Sequence, residues 1–278
     1  MATFEISGGE PTALKKKLLV NVVQYAVQKG LQCTLTTNGY RLTRAYAAEL
    51  SGVGLSKVKF SLYGTTPETN DDFTRFPGSF NLTLRGIEAA KRAGMQVGVH
   101  CVITPRSVPE MRALPDLLAP LDVDVVQLGA VVPSGRGALA SEYVFSEAAR
   151  SRVITMFQQA FSNRLYRRYF FTIALFPEPQ TYPFDGRFCN YLVERLVVNP
   201  RGDVIPCCIL PQDLQSILGN LVKAPFSNVY TDQRLSRDPV FNWLKNGHEA
   251  MRAKLGYNRI SHSLCTLCFD MLYRLKAL

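Results

Sequence analysis

The chain has 278 residues, 47% hydrophobic and 19% charged, enough to bury one large core or two smaller ones. Its net charge of +10 is dispersed, and Lys15-Lys16-Lys17 and Arg164 with Arg167 and Arg168 read as solvated helix faces, because no basic stripe interleaved with aromatic residues marks a nucleic-acid groove. No apolar run is long enough to span a bilayer and no secretory signal opens the chain, so the expected setting is the cytoplasm, with seven cysteines serving as thiols, metal ligands or core residues rather than disulfides.

In chain order, the first predicted strand, Thr3–Ser7, empties into the turn Gly8-Gly9-Glu10-Pro11. A helical stripe follows, made of Leu14, Leu18, Leu19, Val22, Val23, Ala26 and Val27, with Gly30 as its stop. Strand-like runs then recur at Gln32–Thr37, Lys57–Leu62, Gln96–Ile103, Asp124–Ala130 and Tyr169–Ala174, with helical periodicity between them. Gly86, Ile87, Ala90 and Ala93 with Gly94 repeat the helix-and-stop pattern. Such βα units predict a parallel sheet curling into an open or closed barrel, with ligands beyond the strand C-termini. At those ends stand Gly8-Gly9-Glu10-Pro11, Thr37-Asn38-Gly39, Ser61-Leu62-Tyr63-Gly64, Thr104-Pro105 and Val132-Pro133-Ser134-Gly135-Arg136-Gly137.

These ends have definable chemistry. Gly8 and Gly9 let backbone carbonyls approach a ligand, and beside Glu10 they suit a bound ammonium, which needs acceptors in fixed directions. Asn38 offers an amide for a ribose hydroxyl, Ser61 a hydroxyl for a carboxylate, and Arg75 a charge-assisted bond to that same carboxylate. Each also has a local reading: Asn38-Gly39 is a good turn dipeptide, Ser61 could cap its own loop, and Arg75 could be a surface charge.

After Pro177, Pro179 and Pro183, a hairpin is predicted from Leu192–Val198 through Asn199-Pro200-Arg201-Gly202-Asp203 to Val204-Ile205-Pro206-Cys207-Cys208. Cysteines flank it as C-x12-G-x4-C, from Cys189 through Gly202 to Cys207, and Cys265-Thr266-Leu267-Cys268 supplies a later C-x2-C pair. Spacing alone leaves structural zinc and iron–sulfur equally open, and Cys208 adjoins Cys207 as an alternative ligand. Cys33 and Cys101 lie within apolar strands and read as inert core; His100, His248 and His262 show no ligand-like pairing and receive no role.

In this order, SGGEP, TTNG, SLYG followed by Phe76-Pro77-Gly78-Ser79-Phe80, and VVPSGRG resemble the core of a radical S-adenosylmethionine (SAM) enzyme over most of residues 3–140. The tail resembles the auxiliary-cluster domain called SPASM, or its shorter single-cluster twitch version, since no cysteine follows Cys268. The resemblance implies a partial (β/α)6 barrel lacking its first strand over residues 1–175 and a small α+β auxiliary domain over residues 176–278. It implies SAM bound by Gly8, Gly9, Glu10, Pro11, Asn38, Ser61 and Arg75, with the glycine turn on the amino group of its methionine half. It also implies a [4Fe–4S] cluster on Cys189, Cys207, Cys265 and Cys268, and tips the choice from zinc to iron–sulfur.

The family uses a further cluster held by C-x3-C-x2-C, from which reductive cleavage of SAM starts hydrogen abstraction from the substrate. That triad is expected before SGGEP, where only Met1 to Glu5 precede it in this chain, so no catalytic residue is assigned. The expectation is a shortened form of an active enzyme; a degenerate iron–sulfur or zinc binding protein without enzymatic activity, or a partner polypeptide supplying the segment, are the alternatives. Resemblance implies a peptide or protein side chain as substrate first, then a small molecule, and a flavodoxin or ferredoxin as reductant; membranes and nucleic acid are not expected as partners.

Overall fold

The computed structural model describes residues 2–131, 140–146, 149, 153, 170–173, 196–207, 216–231 and 237. The chain divides into two compact units, Met1–Val131 with Glu142–Leu175, and Val132–Ser141 with Phe176–Leu278.

The first unit is built on a six-stranded parallel sheet, β1 Thr3–Ile6, β2 Gln32–Thr37, β3 Lys57–Leu62, β4 Gln96–Ile103, β5 Val125–Ala130 and β6 Phe170–Ile173. The spatial order equals the chain order, so the crossovers from β1 to β5 repeat one right-handed turn and place their helices on one face. That face is the buried one, carrying Val58, Phe60 and Leu62 from β3, Val97, Val99, Cys101 and Ile103 from β4, and Val126 and Leu128 from β5. This is the partial (β/α) barrel that the repeated βα units predict, with observed strand bounds within a residue or two of the expected ones.

Helix α1, Lys16–Gln28, buries Leu19, Val20, Val23 and Ala26. The predicted stripe is therefore partly corrected: Leu14 lies ahead of the helix and Leu18 is half exposed, because packing selects the 19, 23 and 26 positions and leaves 14 and 18 beside that line. Helix α2 spans Arg44–Gly52, capped by the Thr43 hydroxyl, which accepts from the Tyr46 N–H. Helix α3, Pro67–Thr74, is capped the same way by Thr66. Helix α4, Ser79–Arg92, packs closely at Gly86, where a Cβ would stand 2.8 Å from the Gly39 carbonyl oxygen and 3.0 Å from Phe60. A short helix α5, Leu114–Leu118, completes the described crossovers.

The second unit shows an antiparallel three-stranded sheet, β7 Val197–Val198, β8 Asp203–Ile205 and β9 Gly219–Asn220. The pairs Val197 with Ile205 and Val198 with Val204 form the predicted hairpin, and β9 is an addition that the sequence reading did not anticipate. No helix among the described residues is long and apolar enough to cross a membrane.

Candidate functional site

Glu10 organises the ends of β1 and β2. Its Oε1 accepts from the Thr12 N–H at 2.9 Å, the Thr12 hydroxyl at 2.6 Å and the Thr37 hydroxyl at 2.6 Å, while Oε2 accepts from the Asn38 N–H at 2.8 Å. The carboxylate caps the turn Pro11–Ala13, in which Pro11 and Thr12 are buried. Its acceptors are thus committed to the chain itself, so Glu10 shapes the turn. Gly8 and Gly9 both adopt positive φ, +83° and +57°, and nothing lies within 4 Å of where their Cβ atoms would be. This leaves an exposed glycine turn held rigid by the carboxylate beside it.

Asn38 forms the local turn anticipated for it: its Oδ1 accepts from the Tyr40 N–H at 3.0 Å, and its carbonyl accepts from the Thr83 hydroxyl of α4 at 2.9 Å. Its Nδ2 makes no hydrogen bond among the described residues, so one donor pair is available to a ligand. Ser61 sits half-buried on β3 with its hydroxyl directed to Tyr63, whose phenol is pushed up by burial and pulled partly back by that hydrogen bond. Tyr63 stacks on Phe73 at 4.4 Å, and Phe73 meets Tyr143 edge-on at 5.0 Å.

Arg75 ends α3 with φ +55°, and donates to Asp72 Oδ1 at 2.8 Å and the Tyr143 hydroxyl at 3.2 Å. Arg106, from the loop after β4, donates to the other Asp72 oxygen at 2.8 Å. Glu110 further ties the two loops by accepting from the Thr65 N–H at 2.7 Å and from the Thr66 and Thr69 hydroxyls. Loops following β1 to β4 are therefore cross-linked at one end of the sheet, the C-terminal end, as expected for a βα ligand site. Asp72, Phe73, Thr104, Arg106 and Tyr143 line a small cavity of about 180 Å³ there. The predicted Val132-Pro133-Ser134-Gly135-Arg136-Gly137 turn lies outside the described residues.

In the second unit, the hairpin turn is locked by Asn199, whose Oδ1 accepts from the Arg201 and Asp203 N–H groups at 2.9 and 3.0 Å, with Gly202 at φ +82°. Asn220 of β9 donates to Asp203 Oδ1 at 2.8 Å. Hydrogen bonds from Asn220, then Asn199, hold the Asp203 carboxyl below its usual range. Half-buried Cys207 follows directly after β8 and Pro206. Cys189, Cys208, Cys265 and Cys268 lie outside the described residues. Cys33 and Cys101 are fully buried, as the core reading requires; burial pushes both thiols up, Cys101 to about 12.

The sheet face opposite the helices carries residues that the sequence reading passed over. Lys59 donates to Glu5 Oε2 at 3.1 Å, and the Thr36 hydroxyl donates to Glu5 Oε1 at 2.8 Å. One step along the strands, Ser61, His100 and Gln127 are register neighbours on β3, β4 and β5. Burial, and then the Lys59 charge, push the His100 imidazole below its ordinary range and keep it neutral near pH 7. The signal was present in β4, where Gln96, Gly98 and His100 alternate with Val97, Val99 and Cys101.

Residues 2–118 match the Radical SAM superfamily, and residues 189–269 match SPASM, described as an iron–sulfur cluster-binding domain, which contains Cys189, Cys207, Cys265 and Cys268. The chain is similar to Fe-coproporphyrin III synthase of Methanosarcina barkeri, 36% identical over 53% of this chain and 36% of that protein. It is 26% identical to the AdoMet-dependent heme synthase of the same organism over 84% of this chain and 70% of the relative. PqqA peptide cyclase of Ruegeria pomeroyi is 27% identical over 73% of this chain and 54% of its own length. The chain thus spans only part of the length of these curated relatives. Among solved structures, Streptococcus suis SuiB bound to S-adenosylmethionine superposes with TM-score 0.64 at 16% identity, covering 84% of this chain and 55% of that one, which shows the fold. By these matches the chain carries a radical SAM domain over residues 2–118 and a C-terminal SPASM domain over residues 189–269.

Proposed function

We propose that this chain binds SAM at the C-terminal ends of β1 to β3 and a [4Fe–4S] cluster in its SPASM domain, for the radical modification of a peptide. The observation that carries the reading is the Glu10 carboxylate, which joins the ends of β1 and β2 and fixes Gly8 and Gly9 in an open, exposed turn. When bound, SAM and a reduced cluster supply hydrogen-atom abstraction, which side chains cannot.

The chain's own residues bind and orient. Gly8 and Gly9 present backbone carbonyls to the ammonium of SAM, Glu10 and Pro11 hold that turn, and Asn38 offers its Nδ2 to a ribose oxygen. Ser61 and Arg75 serve the carboxylate; Arg75 is well exposed and already anchored to Asp72, so it reaches a ligand with the donors that Asp72 and Tyr143 leave over. Residues 1–175 carry this site and residues 176–278 the cluster, ligated by Cys189, Cys207, Cys265 and Cys268. A flavodoxin or ferredoxin in the cytoplasm fits as electron donor, since thiolate ligands need a reducing compartment.

Peptide modification is supported by the likeness to PqqA peptide cyclase. Tetrapyrrole chemistry is the second reading, because the heme synthase alignment reaches 70% of that relative.

Anaerobic reconstitution with iron and sulfide counting, followed by equilibrium dialysis with SAM, tests the proposal. About four irons and four sulfides in the SPASM cluster are expected, lost in Cys265→Ser and Cys268→Ser, with SAM retention reduced by Gly9→Val. Stoichiometric zinc without sulfide, or SAM retention indifferent to Gly9→Val, would overturn it.

A further inference from the structure

Two half-buried polar side chains stand side by side on the inner sheet face. His100 and Gln127 are register neighbours on β4 and β5, and neither makes a hydrogen bond among the described residues. Their side-chain polar atoms stay open to solvent on this face, so the donors and acceptors of two register neighbours are available together to a ligand. The space for the imidazole is built in. A Cβ on Gly129 would stand 2.5 Å from His100 Nε2, so the absence of a side chain at 129 is what permits that ring position.

The charge on this face decides the ligand's chemistry. Lys59 is compensated by Glu5 at 3.1 Å, and Glu5 is also engaged by Thr36. His100, its imidazole pushed below its ordinary range by burial and the Lys59 charge, is neutral near pH 7, and Gln127 carries no charge. The row therefore offers one N–H donor and one acceptor from the imidazole, and two donors and one acceptor from the amide. A carboxylate could use the donors alone and would leave both acceptors facing its charge. A peptide unit, with one N–H and one C=O, uses donors and acceptors together.

Resting on the peptide reading above, we propose that His100 and Gln127 form a substrate-recognition row that hydrogen-bonds a backbone amide of the peptide, with Gly129 positioning His100 for it.

The test uses the full chain labelled with 15N-histidine, whose three histidines are His100, His248 and His262, with His100 assigned through His100→Gln. The probes are a pool of capped tripeptide amides and, separately, metal-free coproporphyrin III, a tetracarboxylate. The expected result is a saturable shift of the His100 side-chain nitrogens with the peptide pool only. Gln127→Leu and Gly129→Ala should each weaken peptide binding about threefold to tenfold, the effect of one lost hydrogen bond. Gly129→Ala keeps the test alive should Gln127→Leu fold poorly. His100 resonances indifferent to peptide, responsive to the porphyrin instead, or peptide affinity unchanged in both variants would overturn the inference. SAM retention, measured in parallel by dialysis, is a separate readout: it judges the site at the strand ends and should be unchanged in these variants, while the His100 resonances judge the peptide row.

Discussion

Replacing Glu10 by glutamine separates a scaffold role from direct ligand binding. Both carboxylate oxygens accept a backbone N–H, Oε1 from Thr12 and Oε2 from Asn38, so no orientation of a glutamine amide satisfies both. One backbone N–H must face an NH2 group, which costs about 1–3 kcal/mol for a buried donor without an acceptor. Glu10→Ala removes more. The Thr12 and Thr37 side chains, both in residues only 2% exposed, lose their acceptor, and two such hydroxyls at about 1–3 kcal/mol each give about 2–6 kcal/mol. Urea unfolding followed by circular dichroism reads these losses as a lowered midpoint, alongside SAM retention. Both should fall together, more in Glu10→Ala than in Glu10→Gln. A Glu10→Gln protein with the wild-type midpoint and abolished SAM retention would refute the argument, because it would make Glu10 a ligand contact without a structural task.

Three other outcomes are expected. Gly86→Ala forces a Cβ to within 2.8 Å of the Gly39 carbonyl oxygen and should lower stability by about 1–3 kcal/mol, read by thermal unfolding. Burial raises the Asp71 carboxyl, but hydrogen bonds from Ser79, the Phe80 and Gly78 N–H groups and Asn70 outweigh it and hold the group below 3.8. The unfolded chain then binds the proton more readily, so the Asp71 contribution is complete above that value and disappears as pH falls through the folded one. Acid unfolding of Asp71→Asn should lack this component, and an unchanged acid limb would contradict the assignment. Cys33 and Cys101 should resist iodoacetamide in the folded protein and react after denaturation, read by mass spectrometry, since burial keeps both thiols protonated; rapid native alkylation of Cys101 would show that its strand opens.

The parts legible from the sequence were those set by local repetition. The period-2 run from Gln96 to Ile103 and the glycine stop at Gly94 lie within a few residues, so strand bounds and the βα rhythm could be read directly. The glycine turn after β1 was readable because only glycine takes consecutive positive φ values without strain. Glu10 was harder. Its residue type and position were noticed as suited to an ammonium, yet its partners include Thr37 and Asn38, 27 and 28 residues away, brought to it by the β1–β2 register. The α1 stripe failed at Leu14 and Leu18 for a related reason: helical period gives a wide apolar arc, and only the surface beneath selects the part to be buried.

The sequence by itself determined the parallel βα order and the glycine turn, because each is written in spacings no longer than one βα unit. Tertiary structure decided which side chains face one another. Glu10 became a clamp between two strands, Arg75 and Arg106 came to share Asp72, and His100 and Gln127 became neighbours through the pairing of β4 with β5. The physical reason is that strand pairing fixes register between segments 25 or more residues apart, and a shift of one residue in the β4–β5 pairing would part His100 from Gln127 and put them on opposite faces.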